Sequence, residues 1–307
     1  VSDVTALQIF GPDEYDRVAH QRRVATAMEH ERAKREARQR LDSEAQAAVE
    51  LPEPCTLRHL LTAGVPAVEW RIERWMPKGA NVMILALAKT GKSTLRNNLI
   101  RCLVDGDPWL DVDLVRPISG AVVVFDLEMS SGQGLSWANA HDIQNDDRVI
   151  IFHLRGNIAA LDWRDPLIRA RWAALLRPYR PEVLVLDCVR PWLDAFGLSE
   201  HTDGGQLTVA IDALKRDADI PESVTIHHTG HTGERVRGDS RLQDWPDVQW
   251  LMTRQGDDPS SQRFIRAYGR DVSIEESALV YDAETRRLGF TGGSRRDSRA
   301  RDVLADV

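Results

Sequence analysis

Cysteine is scarce in this chain and poorly placed for cross-linking. Only Cys55, Cys102 and Cys188 are present, odd in number, far apart and without a CxxC pair. A disulfide framework is therefore not expected, and reduced thiols in a cytosolic setting fit the pattern. Long apolar runs are missing too: no stretch reaches 18 residues, so no transmembrane helix is expected. The first fifteen residues are polar and acidic, without the basic-then-apolar layout of a secretion leader, and a cytoplasmic location is the expectation. Positive charge is also not in excess. Lys and Arg number 40 against 47 Asp and Glu, for a formal net charge of −7. The surface as a whole does not attract nucleic acid, and any such contact must come from local basic patches. An acidic enzyme with no nucleic-acid partner fits the same number. No internal repeat is visible.

What is present is enough apolar material, 42% of 307 residues, for one large α/β core with appendages. Residues 13–50 contain neither Gly nor Pro and are rich in Glu, Arg, Ala and Gln, which predicts one long helix or two. Its apolar positions are sparse, so it reads as a solvated arm or as an arm that docks on a neighbouring subunit. Leu51-Pro-Glu-Pro54 ends it. Apolar β-type runs follow at 81–87, 121–125, 148–154, 183–186 and 224–226, with helical stretches at 93–104, 165–176 and 205–217. Several of the runs are continuous, as expected of strands covered on both faces. The expected fold is α/β: a mostly parallel central sheet with helices on both faces and a helical N-terminal arm. Residues 248–253, 263–268, 278–282 and 287–290 read as late antiparallel strands extending the sheet. The expected division is an arm over 1–52, a core over 53–291 and a disordered tail over 292–307.

The strongest local signal is Ala86-Leu-Ala-Lys-Thr-Gly91-Lys92-Ser93-Thr94, placed after an apolar strand and opening a helix. It departs from the phosphate-loop pattern G-x-x-x-x-G-K-[ST] only at Ala86, where the pattern has Gly. That change touches a tight backbone turn and leaves the phosphate contacts in place. Backbone N–H groups of Lys89, Thr90, Gly91, Lys92 and Ser93 can cradle phosphate oxygens, and the helix that carries Thr94 offers its positive end to the anion. Lys92 can bridge the β- and γ-phosphates of ATP, and the Ser93 hydroxyl can ligate Mg²⁺. ATP and Mg²⁺ are the cofactors this motif predicts.

Two carboxylates complete the chemistry. Val183-Leu-Val-Leu-Asp187 is an apolar run ending in Asp, which places Asp187 at the carboxyl edge of the sheet to hold the Mg²⁺ shell. The next residue is Cys188, where many ATPases of this kind carry their water-activating Glu. A substitute stands after a different strand, in Val122-Val-Val-Phe125-Asp126-Leu127-Glu128. Glu128 can orient or deprotonate the attacking water, with Asp126 in a structural role.

With these residues in hand, the chain resembles the RecA/DnaB superfamily of P-loop ATPases, in particular its RepA-like hexameric helicase branch. Phe125-Asp-Leu-Glu128-Met129 is similar to that branch's catalytic-Glu motif. The stretch from Trp70 to Gly79 resembles the lead-in to its first core strand. Val224-Thr-Ile-His227-His228-Thr-Gly230-His231 resembles its polar sensor, and Glu234-Arg235-Val-Arg237-Gly238-Asp239-Ser240 with Trp245-Pro-Asp247 resembles its next loop and strand. The likeness runs over about residues 55–290 and implies a RecA-like core and ATP hydrolysis. It also implies a ring-forming homo-oligomer, a hexamer by analogy, acting on single-stranded DNA as translocase or helicase in plasmid- or phage-type replication. His228 or His227 is then the γ-phosphate sensor, and a basic residue on a late strand, Arg266 or Arg270, the finger reaching a neighbouring subunit's ATP. A polar strand cap is the plainer role for the histidines. A metal at His227 and His231 is disfavoured, since they sit on a strand end and a Gly-containing loop rather than one helix face.

Arg235, Arg237 and Arg241 can grip a DNA backbone, although no aromatic lies between them to stack bases. Trp192 and Phe196, in a loop over 190–206, can serve as stackers or as core. Arg-Gly-Asp at 237–239 is not read as an adhesion motif. Two further function classes stay open. One is a regulatory or loader ATPase that binds DNA or a replication partner protein without unwinding. The other is a nucleotide-gated DNA-binding scaffold without useful turnover. Metabolite kinases also use phosphate loops but rarely combine this strand order with a Glu after the second strand.

Overall fold

The computed structural model describes residues 12–47, 53–229, 239–256, 258 and 260–295. The chain forms two compact units, Val1–Pro66 and Ala67–Val307. The first holds one uninterrupted helix, α1 (Pro12–Ala47), and the short α2 (Leu57–Ala63), capped by the Thr56 hydroxyl on His59 N–H. Val24 and Met28 of α1 are exposed, as its sparse apolar pattern predicts. The tail beyond residue 295 lies outside the described residues.

In the second unit, a hairpin of β1 (Trp70–Ile72) and β2 (Met76–Pro77) leads into β3 (Asn81–Ala86) and α3 (Lys92–Asp105). Then come β4 (Ala121–Asp126), α4 (Ser131–Ala140), β5 (Val149–His153), α5 (Pro166–Leu176), β6 (Pro181–Asp187), α6 (Val189–Ala195), α7 (Gly204–Ala218) and β7 (Glu222–His228). The chain continues with α8 (Ser240–Asp244), β8 (Val248–Arg254), β9 (Arg263–Gly269), β10 (Ser273–Tyr281) and β11 (Leu288–Phe290). Among the described residues, nine strands form one sheet in the order β11-β10-β9-β8-β3-β7-β6-β4-β5. The strands from β8 to β5 in that order run parallel, and β9, β10 and β11 are antiparallel.

The continuous apolar runs are buried on both faces, and their side chains alternate. Val122, Val124, Val183 and Val185 enter one core with Leu95 and Leu99 of α3 and with Trp75, Trp109 and Trp250. Val123, Phe125, Leu184 and Leu186 enter the other, with Leu176 of α5, Trp192 of α6 and Leu207 and Leu214 of α7. At the amino edge Arg71 is buried between Glu222 (2.9 Å) and Glu182 (2.8 Å), tying the hairpin to β6 and β7.

Two expectations need correction. Residues 248–253 do not run antiparallel: β8 lies parallel to β3, Val82 facing Val248 and Ala86 facing Met252. Both faces of this strand are buried, so the continuous Val-Gln-Trp-Leu-Met run signalled a central strand rather than an edge extension. Residues 190–206 are not one loop, since α6 occupies their start and α7 their end. Trp192 is fully buried and Phe196 packs against the same core, with the Arg164 guanidinium over both rings. Neither ring is placed to stack bases.

Candidate active site

The parallel register brings the chemistry to one edge. Ala86, the last residue of β3, faces His228, the last of β7, and Asp126, the last of β4, faces Asp187, the last of β6. Four strands thus end together where α3 begins, at the carboxyl edge that open α/β sheets use for ligands.

The phosphate loop fills the gap between β3 and α3. Gly91 is its N-cap in the left-handed region (φ 113°), and a side chain there would meet Met252 Cε at 3.3 Å. This backbone form and the close approach explain the glycine. Lys89 is also left-handed (φ 60°). Lys89, Gly91, Lys92, Ser93 and Thr94 all line a cleft of about 630 Å³, while Thr90 is buried beneath it. Lys92 folds back over the loop. Its Nζ donates to Leu87 O (2.9 Å), Ala86 O (3.3 Å) and His228 Nδ1 (3.1 Å). Burial lowers its pKa, partly offset by the thiol and carboxylates nearby. A lysine held by carbonyls and an imidazole, with no direct carboxylate partner among the described residues, is ready to exchange them for phosphate oxygens.

Glu128 follows β4 and lines the same cleft, half-exposed. Its Oε1 lies 3.7 Å from His228 Nε2 and accepts the Cys188 thiol at 3.1 Å. The carboxyl is held down at about 2 by His228 first, then by the Cys188 hydrogen bond and the Lys92 charge, against the opposing effect of burial. It is ionised wherever the protein is folded at ordinary pH, as a base or water-orienting group must be. Cys188 is buried, which raises its thiol pKa and keeps it protonated.

Asp187 is the predicted metal residue whose surroundings differ from expectation. It is buried, does not line the cleft, and accepts from Arg96 Nη1 at 2.6 Å. The same nitrogen reaches Asp126 Oδ2 at 2.9 Å. Burial pushes the Asp187 carboxyl up to about 6, with Asp126 and Glu128 adding to it and Arg96 opposing. The other oxygen of Asp126 accepts the backbone N–H groups of Glu128 (3.1 Å) and Met129 (2.9 Å), which sets the turn that presents Glu128. Arg96 therefore joins the phosphate-loop helix to both acidic strand ends. Its signal was legible as a charged residue among Leu95, Leu99 and Leu103, one turn after Ser93.

The far wall of the cleft was not read from sequence. Trp137 of α4, with Arg286 over its ring at 4.2 Å, and Tyr281, Leu288 and Met252 form an aromatic and apolar end. Asn98 of α3 pins this wall. It donates to Arg286 O (3.0 Å) and accepts Leu288 N–H (3.1 Å). Arg263 of β9 also lines the cleft and donates to Thr90 O at 2.8 Å. Apart from Asn98, these residues lie far from the phosphate loop in sequence, and only the fold brings them together.

Arg266 and Arg270 do not line this cleft. Arg266 lies mid-strand, opposite Leu251 and near the Tyr268 ring, and Arg270 pairs with Asp247 (3.2 Å) at the amino edge. His227 is buried beside Glu200 (3.3 Å), on the other side of β7 from the cleft-lining His228. Arg241 pairs with Asp239 (3.1 Å). Arg235, Arg237 and His231 lie outside the described residues.

A sequence profile of the AAA domain matches residues 18–234, more than two thirds of the chain. The chain belongs to the AAA domain family. The match begins within α1 and ends before β8, so it spans the phosphate loop, Glu128 and Asp187. No curated protein sequence matches the chain. Among solved structures, a KaiC-like protein from the hyperthermophilic archaeon Pyrococcus horikoshii OT3 has the same fold, with a TM-score of 0.51 at 12% identity, covering 72% of this chain and 93% of that one. This AAA domain protein is thus a nucleotide-hydrolysing P-loop ATPase with a RecA-like fold, as the superfamily resemblance implied. No helix among its described residues is long and apolar enough to cross a membrane.

Proposed function

We propose that the protein is a Mg²⁺-dependent ATP hydrolase of the RepA-like branch that forms a ring and moves along single-stranded DNA in plasmid- or phage-type replication. The observation that carries the hydrolysis is the meeting of Lys92, His228 and Glu128 at one cleft, each from a different strand end. With ATP bound, the loop would hold the triphosphate, Lys92 would exchange its carbonyls for phosphate oxygens, and the Ser93 hydroxyl would help hold Mg²⁺, which would supply positive charge to the phosphates. Asp187, buried behind the cleft and held by Arg96, would reach a bound Mg²⁺ only through that ion's water shell. Glu128 aligns the attacking water and His228 reports the γ-phosphate to β7. The aromatic end at Trp137 and Tyr281 accepts the base.

The packing of Trp192 and Phe196 into the core favours a second reading, a regulatory or loader ATPase that binds DNA or a partner without unwinding. A nucleotide-gated scaffold without turnover is the third. ATP hydrolysis measured with Mg²⁺, with and without single-stranded DNA, alongside the oligomer mass, separates them. Strong stimulation together with a ring supports the translocase. Turnover indifferent to DNA supports the regulator, and no turnover in either condition leaves the scaffold.

A further inference from the structure

Hydrolysis as proposed uses Glu128 and His228 but gives Cys188 no part. Yet Cys188 stands directly behind them. Its Sγ is 3.1 Å from Glu128 Oε1 and 3.9 Å from His228 Nε2, and those two atoms are 3.7 Å apart. A thiol, an imidazole and a carboxylate, brought by three separate strand ends, form a triangle whose ligand atoms all lie within 4.8 Å of one another. Bond lengths of about 2.0–2.3 Å to O, N and S imply edges of about 3.3–3.7 Å for one face of a tetrahedral zinc site. The observed edges of 3.1, 3.9 and 3.7 Å lie close to that face, and small rotations of the half-exposed Glu128 and of His228 bring all three onto it.

We propose that Glu128 Oε1, Cys188 Sγ and His228 Nε2 bind a thiophilic divalent cation, Zn²⁺ in the first instance, and that its binding silences hydrolysis by occupying Glu128. The blocking role rests on the catalytic reading of Glu128 given above. Ligand chemistry separates this cation from the working one. Mg²⁺ demands six oxygens in an octahedron and goes to the phosphates and Ser93, whereas a mixed S, N, O triangle suits zinc. Glu128 and His228 both line the cleft, which gives an ion a path to the triangle past the half-exposed Glu128.

Binding has a defined proton balance. The S–H bond of Cys188 breaks as S–Zn forms, and that proton leaves to water. Lys92 has only donors, so His228 Nδ1 accepts from it and Nε2 carries the imidazole proton. Coordination needs the Nε2 lone pair. The imidazole proton therefore passes through solvent to Nδ1, and Lys92 gives up that contact while keeping Ala86 O and Leu87 O. Zinc and the Lys92–His228 contact are thus mutually exclusive.

The test uses the full chain without nucleotide, titrated with Co²⁺ as a coloured substitute for Zn²⁺. One equivalent should give tetrahedral visible bands and a thiolate-to-cobalt band in the near ultraviolet, both removed by Zn²⁺. Cys55→Ser, at the exposed thiol, should leave the near-ultraviolet band, and Cys188→Ser should lose it. His228→Ala and Glu128→Gln should each weaken Co²⁺ binding by more than about tenfold. These two variants keep the test open if Cys188→Ser fails to fold. Absence of the thiolate band, or its persistence in Cys188→Ser, would overturn the site. Hydrolysis by the Zn²⁺-loaded chain in the presence of Mg²⁺ at the rate of the zinc-free chain would overturn the blocking role. The spectrum is read without ATP, so loss of the band leaves hydrolysis standing, and absence of hydrolysis leaves the band.

Discussion

Arg96 is the buried cation on which both acidic strand ends depend, and its removal tests that directly. Arg96→Met leaves Asp126 and Asp187 facing each other without a counter-charge, and removing one partner of a buried ion pair costs about 3–5 kcal/mol. Urea unfolding should show that loss, and adding Asp126→Asn should recover part of it by removing one of the two stranded charges. Lys92→Ala should behave in the opposite way. It removes a partly desolvated cation, so stability should hold while ATP hydrolysis falls by about a hundredfold or more. Glu128 adds a pH signature. Its folded-state carboxyl sits at about 2 against an ordinary 4.5, so the folded state favours the charged form. The resulting stability is fully present above pH 4.5 and is lost as pH falls through about 2. Between those limits the wild type should lose stability that Glu128→Gln does not, and the acid limb of kcat/KM should not titrate with Glu128. A Glu128 held protonated at neutral pH would abolish both differences.

The elements that build the site differ in how openly their residues announced it. The phosphate loop, Glu128 and Asp187 were legible because each sits beside an apolar run, and burial on both faces makes such runs conspicuous. The register that aligns Asp126 with Asp187 and Ala86 with His228 was not legible, because strand order is a property of long-range pairing. The same limit hid the direction of β8, which is set by its long-range pairing with β3. It also hid α4, whose Ser-Gly-Gln-Gly-Leu-Ser start carries weak helix propensity but has a Ser130 cap on Gln133 N–H. Gly134 lets α4 lie against β5: a methyl there would come within 2.3 Å of His153 Cε1. Gly134→Ala should therefore cost about 1–3 kcal/mol and raise the KM for ATP, because α4 carries Trp137 into the cleft. His153→Ala in the same chain should restore both. An unrestored KM would show that Trp137 does not depend on this contact.

At the scale of the whole molecule, the proposed ring would let one chain complete another's cleft. Its own chain supplies the loop, His228 and Glu128, with Arg263 as a further cation, while Arg266 and Arg270 lie away from it. Arg270 is well suited to a test because its own-chain contact with Asp247 is exposed, and exposed pairs contribute little to stability. Arg270→Ala should thus fold as well as the wild type by thermal denaturation. If Arg270 is the finger, that variant should lose hydrolysis by about 10³-fold or more, whereas a purely structural residue should lose almost none. Mixing then identifies the direction of action. Lys92→Ala chains should hydrolyse poorly but keep Arg270, and Arg270→Ala chains keep the loop but lack that arginine. A finger acting across an interface makes a mixed assembly more active than either variant alone, because some loops then face an intact arginine. A finger acting within its own chain gives no such gain at any ratio. The same mixing with Arg266→Ala assigns the role to Arg266 if only that variant is rescued, and rescue of neither removes the trans finger from the mechanism.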